Sequence, residues 1–144
     1  LTFERFISYA HEHAAALRVL VTAVNQPCQI AVASGLNGHV SNEDILHWHH
    51  LDQGQADGGA IWLHSRTRHS GLELAAAATL SVSTGVAAQC QLCPGHPRLW
   101  VTKHLDAGQT LQLDKLVSYT ASRDPVPDAT NVVERALAEL RPER

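Results

Sequence analysis

Short runs in which apolar and polar residues alternate recur along this chain, each closed by turn-forming residues. That period of two dictates strands rather than helices. Thr2–Tyr9 is rich in aromatic and β-branched residues, and Leu17–Val24 follows, closing at Asn25-Gln26-Pro27. Cys28–Ser34 sets Cys28, Ile30 and Val32 against Gln29, Ala31 and Ala33 and stops at Gly35. Ile61–Thr67 alternates again and turns at Ser70-Gly71. Leu99–Leu105 leads through Asp106–Gln109 into Leu111–Thr120, where Leu111, Leu113, Val117 and Tyr119 fall on one side.

Three stretches depart from this pattern. Asn37–Gly59 reads as irregular, with four glycines and the cluster His47–His50. Leu72–Thr84 has an alanine-rich middle in which helix and strand compete, and Leu80-Ser81-Val82-Ser83 tips it toward strand. Gln89–Pro97 reads as a turn. Beyond Pro125 and Pro127 the period changes: Asp128 can cap a helix that carries Val133, Ala136, Leu137 and Leu140 at helical spacing. The sum is seven or eight strands and one helix. The expected fold is all-β, an antiparallel β-sandwich over residues 1–124, with a short C-terminal helix within 125–144.

Composition bounds what such a fold serves. At 144 residues the chain suffices for one domain with a core. A net charge of −3 gives no electrostatic reason to expect nucleic acid or an anionic membrane as partner. No apolar run reaches the roughly 18 residues a membrane span needs, and charges at Glu4, Arg5, Glu12 and Arg18 interrupt any signal-peptide core. Three cysteines form no disulfide framework, so a reducing, cytoplasmic setting is the simpler reading. The absence of methionine suggests a segment of a longer product.

The side chains that carry chemistry are few. Trp48 sits among His47, His49 and His50, and an exposed indole can stack on a sugar face. This makes Trp48, with His47 and His49, the candidates for contact with carbohydrate or a neighbouring domain. Trp62 and Trp100 lie opposite the better apolar faces of their strands, and burial on both faces is the favoured reading for them. Cys90, Cys93 and His96 offer thiolate and imidazole, the ligands zinc prefers. One Cys-x₂-Cys without a second pair is a weak signal, so a surface turn beside Pro94-Gly95 is the favoured reading and no metal site is expected. No cofactor is expected.

Five short motifs, in order, resemble the N-terminal domain of glycoside hydrolase family 65. Arg5-Phe6-Ile7-Ser8 followed by His11 and His13 is similar to that family's "RF-[VI]-S, then His" strand, and Leu17–Val24 ending at Asn25 to the next segment. Ser34-Gly35-Leu36-Asn37-Gly38-His39-Val40-Ser41-Asn42 resembles its "SG-[IL]-[DN]-G-x-V-x-N" stretch. Leu105–Thr110 with Asp114-Lys115 resembles its "L-x-x-G-x-x-x-x-x-x-K" hairpin. Thr120-Ala121-Ser122-Arg123-Asp124 resembles its "T-S-R-D" exit with an alanine inserted.

The resemblance implies a β-sandwich followed by a helical linker and an (α/α)₆-barrel catalytic domain. Such a parent would phosphorolyse or hydrolyse an α-linked glucose disaccharide, with phosphate and disaccharide bound at the parent's site. It implies further that the general acid is a glutamate of the barrel. No catalytic residue carries over: Glu12, Glu43, Glu73, Glu134 and Glu139 match no catalytic motif. The match begins well inside the family's sandwich, so unpaired strand edges are expected, and with them a possible homodimer. The helix and the charged end Arg141–Arg144 read as the start of the linker.

Overall fold

The computed structural model describes residues 1–125 and 131–140. Among these, nine strands build two antiparallel sheets: β1 (Thr2–Ile7), β2 (Ala14–Thr22), β3 (Cys28–Gly35), β4 (Trp48–Gln55), β5 (Ile61–Thr67), β6 (Glu73–Val82), β7 (Gln89–Cys93), β8 (His96–Leu105) and β9 (Thr110–Ala121). The six-stranded sheet runs β1-β2-β9-β6-β5-β4 and the three-stranded sheet β3-β8-β7. The expected all-β sandwich is therefore the fold.

The core lies between the sheets. Leu111 and Leu113 of β9 meet Val101 and Leu105 of β8, with Val19 and Val21 of β2 and Ile30 and Val32 of β3 packed around them. Toward the other side Ile61, Leu63, Ala76 and Ala78 pack with Leu99 and Leu36. Alternation placed these residues correctly because each of these strands turns one face inward.

Two strands lie where loop and turn were expected. β4, Trp48–Gln55, falls inside Asn37–Gly59, and β7, Gln89–Cys93, inside Gln89–Pro97. Both are edge strands, exposed along much of their length, so burial never imposed an alternating pattern on them. β7 and β8 join through Pro94 and Gly95, with Gly95 at φ +66°.

The alanine run proves to be strand. Ala76 and Ala78 face the second sheet, whereas Ala75 and Ala77 face a helix, α1 (Val132–Glu139). A strand buried on both faces shows no alternation, and methyl-sized side chains let sheet and helix approach closely. α1 begins one turn later than Asp128, which lies outside the described residues with Pro127. Its cap is Asn131, whose Oδ1 accepts the Glu134 N–H at 2.9 Å. Val132 and Ala136 of α1 close over Ala75, Ala77 and Trp62. Beneath α1, Ser118 and Thr120 are only 0% and 3% exposed, and they donate to the carbonyls of Ala136 and Val132, each at 2.6 Å. The charged end Arg141–Arg144 also lies outside the described residues.

Candidate functional site

At one end of the sandwich the chain leaves β3 and crosses toward β4 as Leu36–Val40. Three close contacts hold this crossing down. The Gly38 N–H donates to Gly95 O at 2.8 Å, the Leu36 N–H to Pro97 O at 3.0 Å, and His39 Nε2 bonds Pro94 O at 2.8 Å. Gly95 is required twice over, by its positive φ and because a Cβ there would stand 2.6 Å from His39 Nε2. From β4, Gln53 reaches the same turn: its Oε1 accepts the Gly95 N–H at 2.6 Å and its Nε2 donates to Cys93 O at 2.8 Å. The His96 imidazole in this knot is held below its ordinary pKa, first by burial and then by Arg98 and His39.

Under the crossing loop lies a cleft of about 290 Å³. Trp48 and Tyr119 line it with Ser65, Asn37 and Leu63. It presents two aromatic side chains beside a hydroxyl and an amide, a small apolar concavity with a few polar groups of the kind that takes a compact polar ligand. Trp48 opens β4 opposite Thr67 rather than standing in a loop. His47 and His49 are exposed and do not line the cleft; His49 lies opposite Arg66 on the neighbouring strand. The structure thus separates Trp48 from the two histidines and joins it instead to Tyr119 and Ser65. Tyr119 was legible as the last member of the inward-facing series on β9, whereas nothing in the sequence pointed to Ser65 or Gln53.

The cysteines are placed differently. Cys90 packs into the core and its thiol is pushed up by burial. Cys93, three positions along the same strand, accepts from Arg98 Nη2 at 3.3 Å. Residues three apart on a strand project from opposite faces, so Cys90 and Cys93 cannot close on one ion. Among the described residues no three His, Cys, Asp or Glu side chains are grouped to hold a metal. Trp62 is half-buried beneath α1, as expected. Trp100 is instead 39% exposed, on the outer face of the small sheet, with its indole N–H donating to Thr102 Oγ1 at 3.2 Å.

The family model described as glycosyl hydrolase family 65, N-terminal domain, matches residues 1–144. The chain belongs to that family. This family 65 chain is 28% identical over 150 residues to a kojibiose phosphorylase from Halothermothrix orenii, covering 97% of the chain and 19% of the relative. It superposes with a TM-score of 0.82 on a solved structure described as a candidate kojibiose phosphorylase from the human microbiome. That match is 14% identical and spans 96% of this chain and 18% of the other, so it speaks for the fold alone. The family 65 chain thus spans about one fifth of the length of the relatives it matches. Among its described residues no helix is long and apolar enough to cross a membrane.

Proposed function

We propose that this chain is a non-catalytic part of the N-terminal β-sandwich of a cytoplasmic enzyme that phosphorolyses an α-linked glucose disaccharide. The observation that carries the reading is the family 65 match along the whole chain, joined to a kojibiose phosphorylase relative about five times longer. The partner is the catalytic (α/α)₆-barrel of the same polypeptide, which binds disaccharide and phosphate and supplies the general acid. Residues 1–124 form the sandwich, and 125–144 lead toward the barrel through α1.

The distribution of carboxylates supports a non-catalytic role. An inverting reaction needs an acid and a nucleophile on opposite sides of the scissile bond. Among the described residues the cleft and two larger grooves, of about 780 and 600 Å³, are lined by a single carboxylate, Glu139. Glu73 is bonded to His64 at 3.0 Å and Asp114 to Arg18 at 2.7 Å.

The test is release of glucose 1-phosphate from kojibiose, maltose or trehalose with orthophosphate, by the chain alone and by the parent polypeptide. Activity in the parent only is expected. Turnover by the chain alone would sink the assignment.

The cleft favours a second reading, that Trp48 forms part of a sugar-contacting wall. It predicts a change of tryptophan fluorescence on titration with glucosides that disappears in Trp48→Phe. A flat titration of the native chain removes that reading.

A further inference from the structure

Trp100 is out of keeping with its surroundings on β8. The residues that share its face of the strand are Arg98, Thr102 and His104, the composition of a solvated surface. A tryptophan among them forgoes part of the burial that ordinarily holds this residue inside. Its ring is nonetheless directed: the indole N–H donates to Thr102 Oγ1 at 3.2 Å, which aligns it along the strand.

The neighbouring strands leave the ring clear on one flank and fence it on the other. On β3 the residue opposite Trp100 is Ala33, and Ala31 stands opposite Thr102. Both alanines are exposed, so no long side chain rises there. Gly35, opposite Arg98, lets the arginine lie flat, since a Cβ on it would stand 3.0 Å from Arg98 Cγ. On β7 the residues opposite Trp100 and Arg98 are Gln89 and Gln91, both exposed, which bring two primary amides to the same face. Strands lie about 4.8 Å apart, and same-face neighbours about 7 Å apart along a strand. A ring seated on the indole thus has methyl groups on one side and amides within reach on the other.

The chemistry of this face selects its occupant. β3, β7 and β8 contain no Asp or Glu, so the face offers a cation no carboxylate. The Arg98 guanidinium is turned to Cys93 Sγ, which accepts from Nη2 at 3.3 Å, and is not aimed at an anion over the sheet. A stable protein interface buries about 800 Å² on each partner, whereas the exposed part of one indole supplies on the order of 100 Å². Leu92, also exposed on the small sheet, is opposite the buried Pro97 and projects from the other face. A pyranose ring fits where these do not. The C–H groups of its apolar face are drawn to the electron-rich face of an indole, and its hydroxyls donate and accept as primary amides do.

We infer that the outer face of the small sheet is a carbohydrate site, separate from the Trp48 cleft. Trp100 stacks there on a neutral α-linked gluco-oligosaccharide, and Gln89 and Gln91 hydrogen-bond its hydroxyls. The choice of an α-glucoside rests on the reading proposed above; the platform itself does not.

The experiment is fluorine NMR of the chain labelled with fluorotryptophan, titrated with maltotriose. Trp100 is identified as the signal missing from Trp100→Phe. Its signal is expected to move saturably, with a Kd on the order of 1 mM, and to ignore sorbitol, which has hydroxyls but no ring face. Ala33→Glu, at an exposed position, keeps the tryptophan as a reporter of the fold and is expected to weaken binding about tenfold or more. A Trp100 signal that stays still, one that sorbitol moves equally, or an Ala33→Glu chain that binds as tightly as the native one overturns the proposal. Movement confined to Trp48 overturns it too and favours the cleft. The same titration of the parent polypeptide is expected to move Trp100, and a still signal there overturns the proposal. A parent that releases glucose 1-phosphate while Trp100 stays still fails this inference only. A parent without that activity whose Trp100 answers maltotriose fails only the functional assignment.

Discussion

The two long sides of this sandwich are finished in opposite ways. On the β4/β7 side the sheets are tied: Gln53 of the large sheet bonds both Cys93 O and the Gly95 N–H of the small one, and His39 bonds Pro94 O beside them. On the β1/β3 side Lys115 Nζ of the large sheet donates to Gly35 O of β3 at 2.9 Å, and Phe3, Phe6 and Ile7 stand 56%, 63% and 81% exposed. The tied side gets its closure from polar side chains aimed at backbone groups, which fixes the loop over the Trp48 cleft. The open side keeps exposed apolar surface, with Lys115 as its polar link to the small sheet.

The comparison breaks most visibly if stability does not follow it. Leu113, 1% exposed at the junction of the two sheets, is expected to cost about 2–5 kcal/mol as Leu113→Ala, measured by urea unfolding. Phe3→Ala on the open side is expected to change stability by no more than about 0.5 kcal/mol, since the side chain has little to lose. Equal losses would mean that β1 is packed in solution. Next in size is Gln53→Ala, which strands a backbone N–H and a carbonyl at the tied rim. A loss of about 1–3 kcal/mol is expected in the same measurement, and a null effect would show that Leu36–Val40 holds the rim without Gln53. Ser118→Ala removes one donor from the Ala136 carbonyl, which keeps its place in the helix, so about 1 kcal/mol is expected.

How much of this could be read in advance depended on how many faces of a strand are buried. β3, β5, β8 and the first half of β9 bury one face, and the alternation of Ile30 and Val32, or of Leu111 and Leu113, revealed both strand and core. The pattern failed in two opposite ways. β4 and β7 bury too little of either face to impose a period, so WHHLDQGQ read as loop. Ala75–Ala78 buries both faces, so no period survives there; at Ser118–Thr120 the polar face is the buried one while Tyr119 is exposed, and hydroxyl groups that looked solvent-facing satisfy helix carbonyls. The site followed the same logic. Trp48 was visible as an unusual residue, but its partners Tyr119 and Ser65 depend on a register between strands distant in sequence. The family resemblance, carried by ordered short motifs, reached further than any single residue. The Gly35–His39 motif shows why: its glycines and histidine are fixed by packing against Gly95 and His96 rather than by local propensity.

The smallest expected effect separates the two sides by pH. His96 belongs to the tied side, and its pKa is lowered first by burial and then by Arg98 and His39. The folded form therefore binds a proton less readily than the unfolded chain, whose histidine titrates near 6.5. Its contribution is fully present above that value and is lost as pH falls through the lower folded pKa. Asp114, lowered by its hydrogen bond to Arg18, acts in a separate window below about pH 4. Between pH 7 and 5 the urea midpoint of the native chain is thus expected to drop modestly. His96→Gln, which keeps a polar side chain at that position, is expected to flatten the drop, whereas Phe3→Ala on the open side leaves it unchanged. An identical slope in His96→Gln would place the acid sensitivity outside His96, among the other nine histidines or the carboxylates.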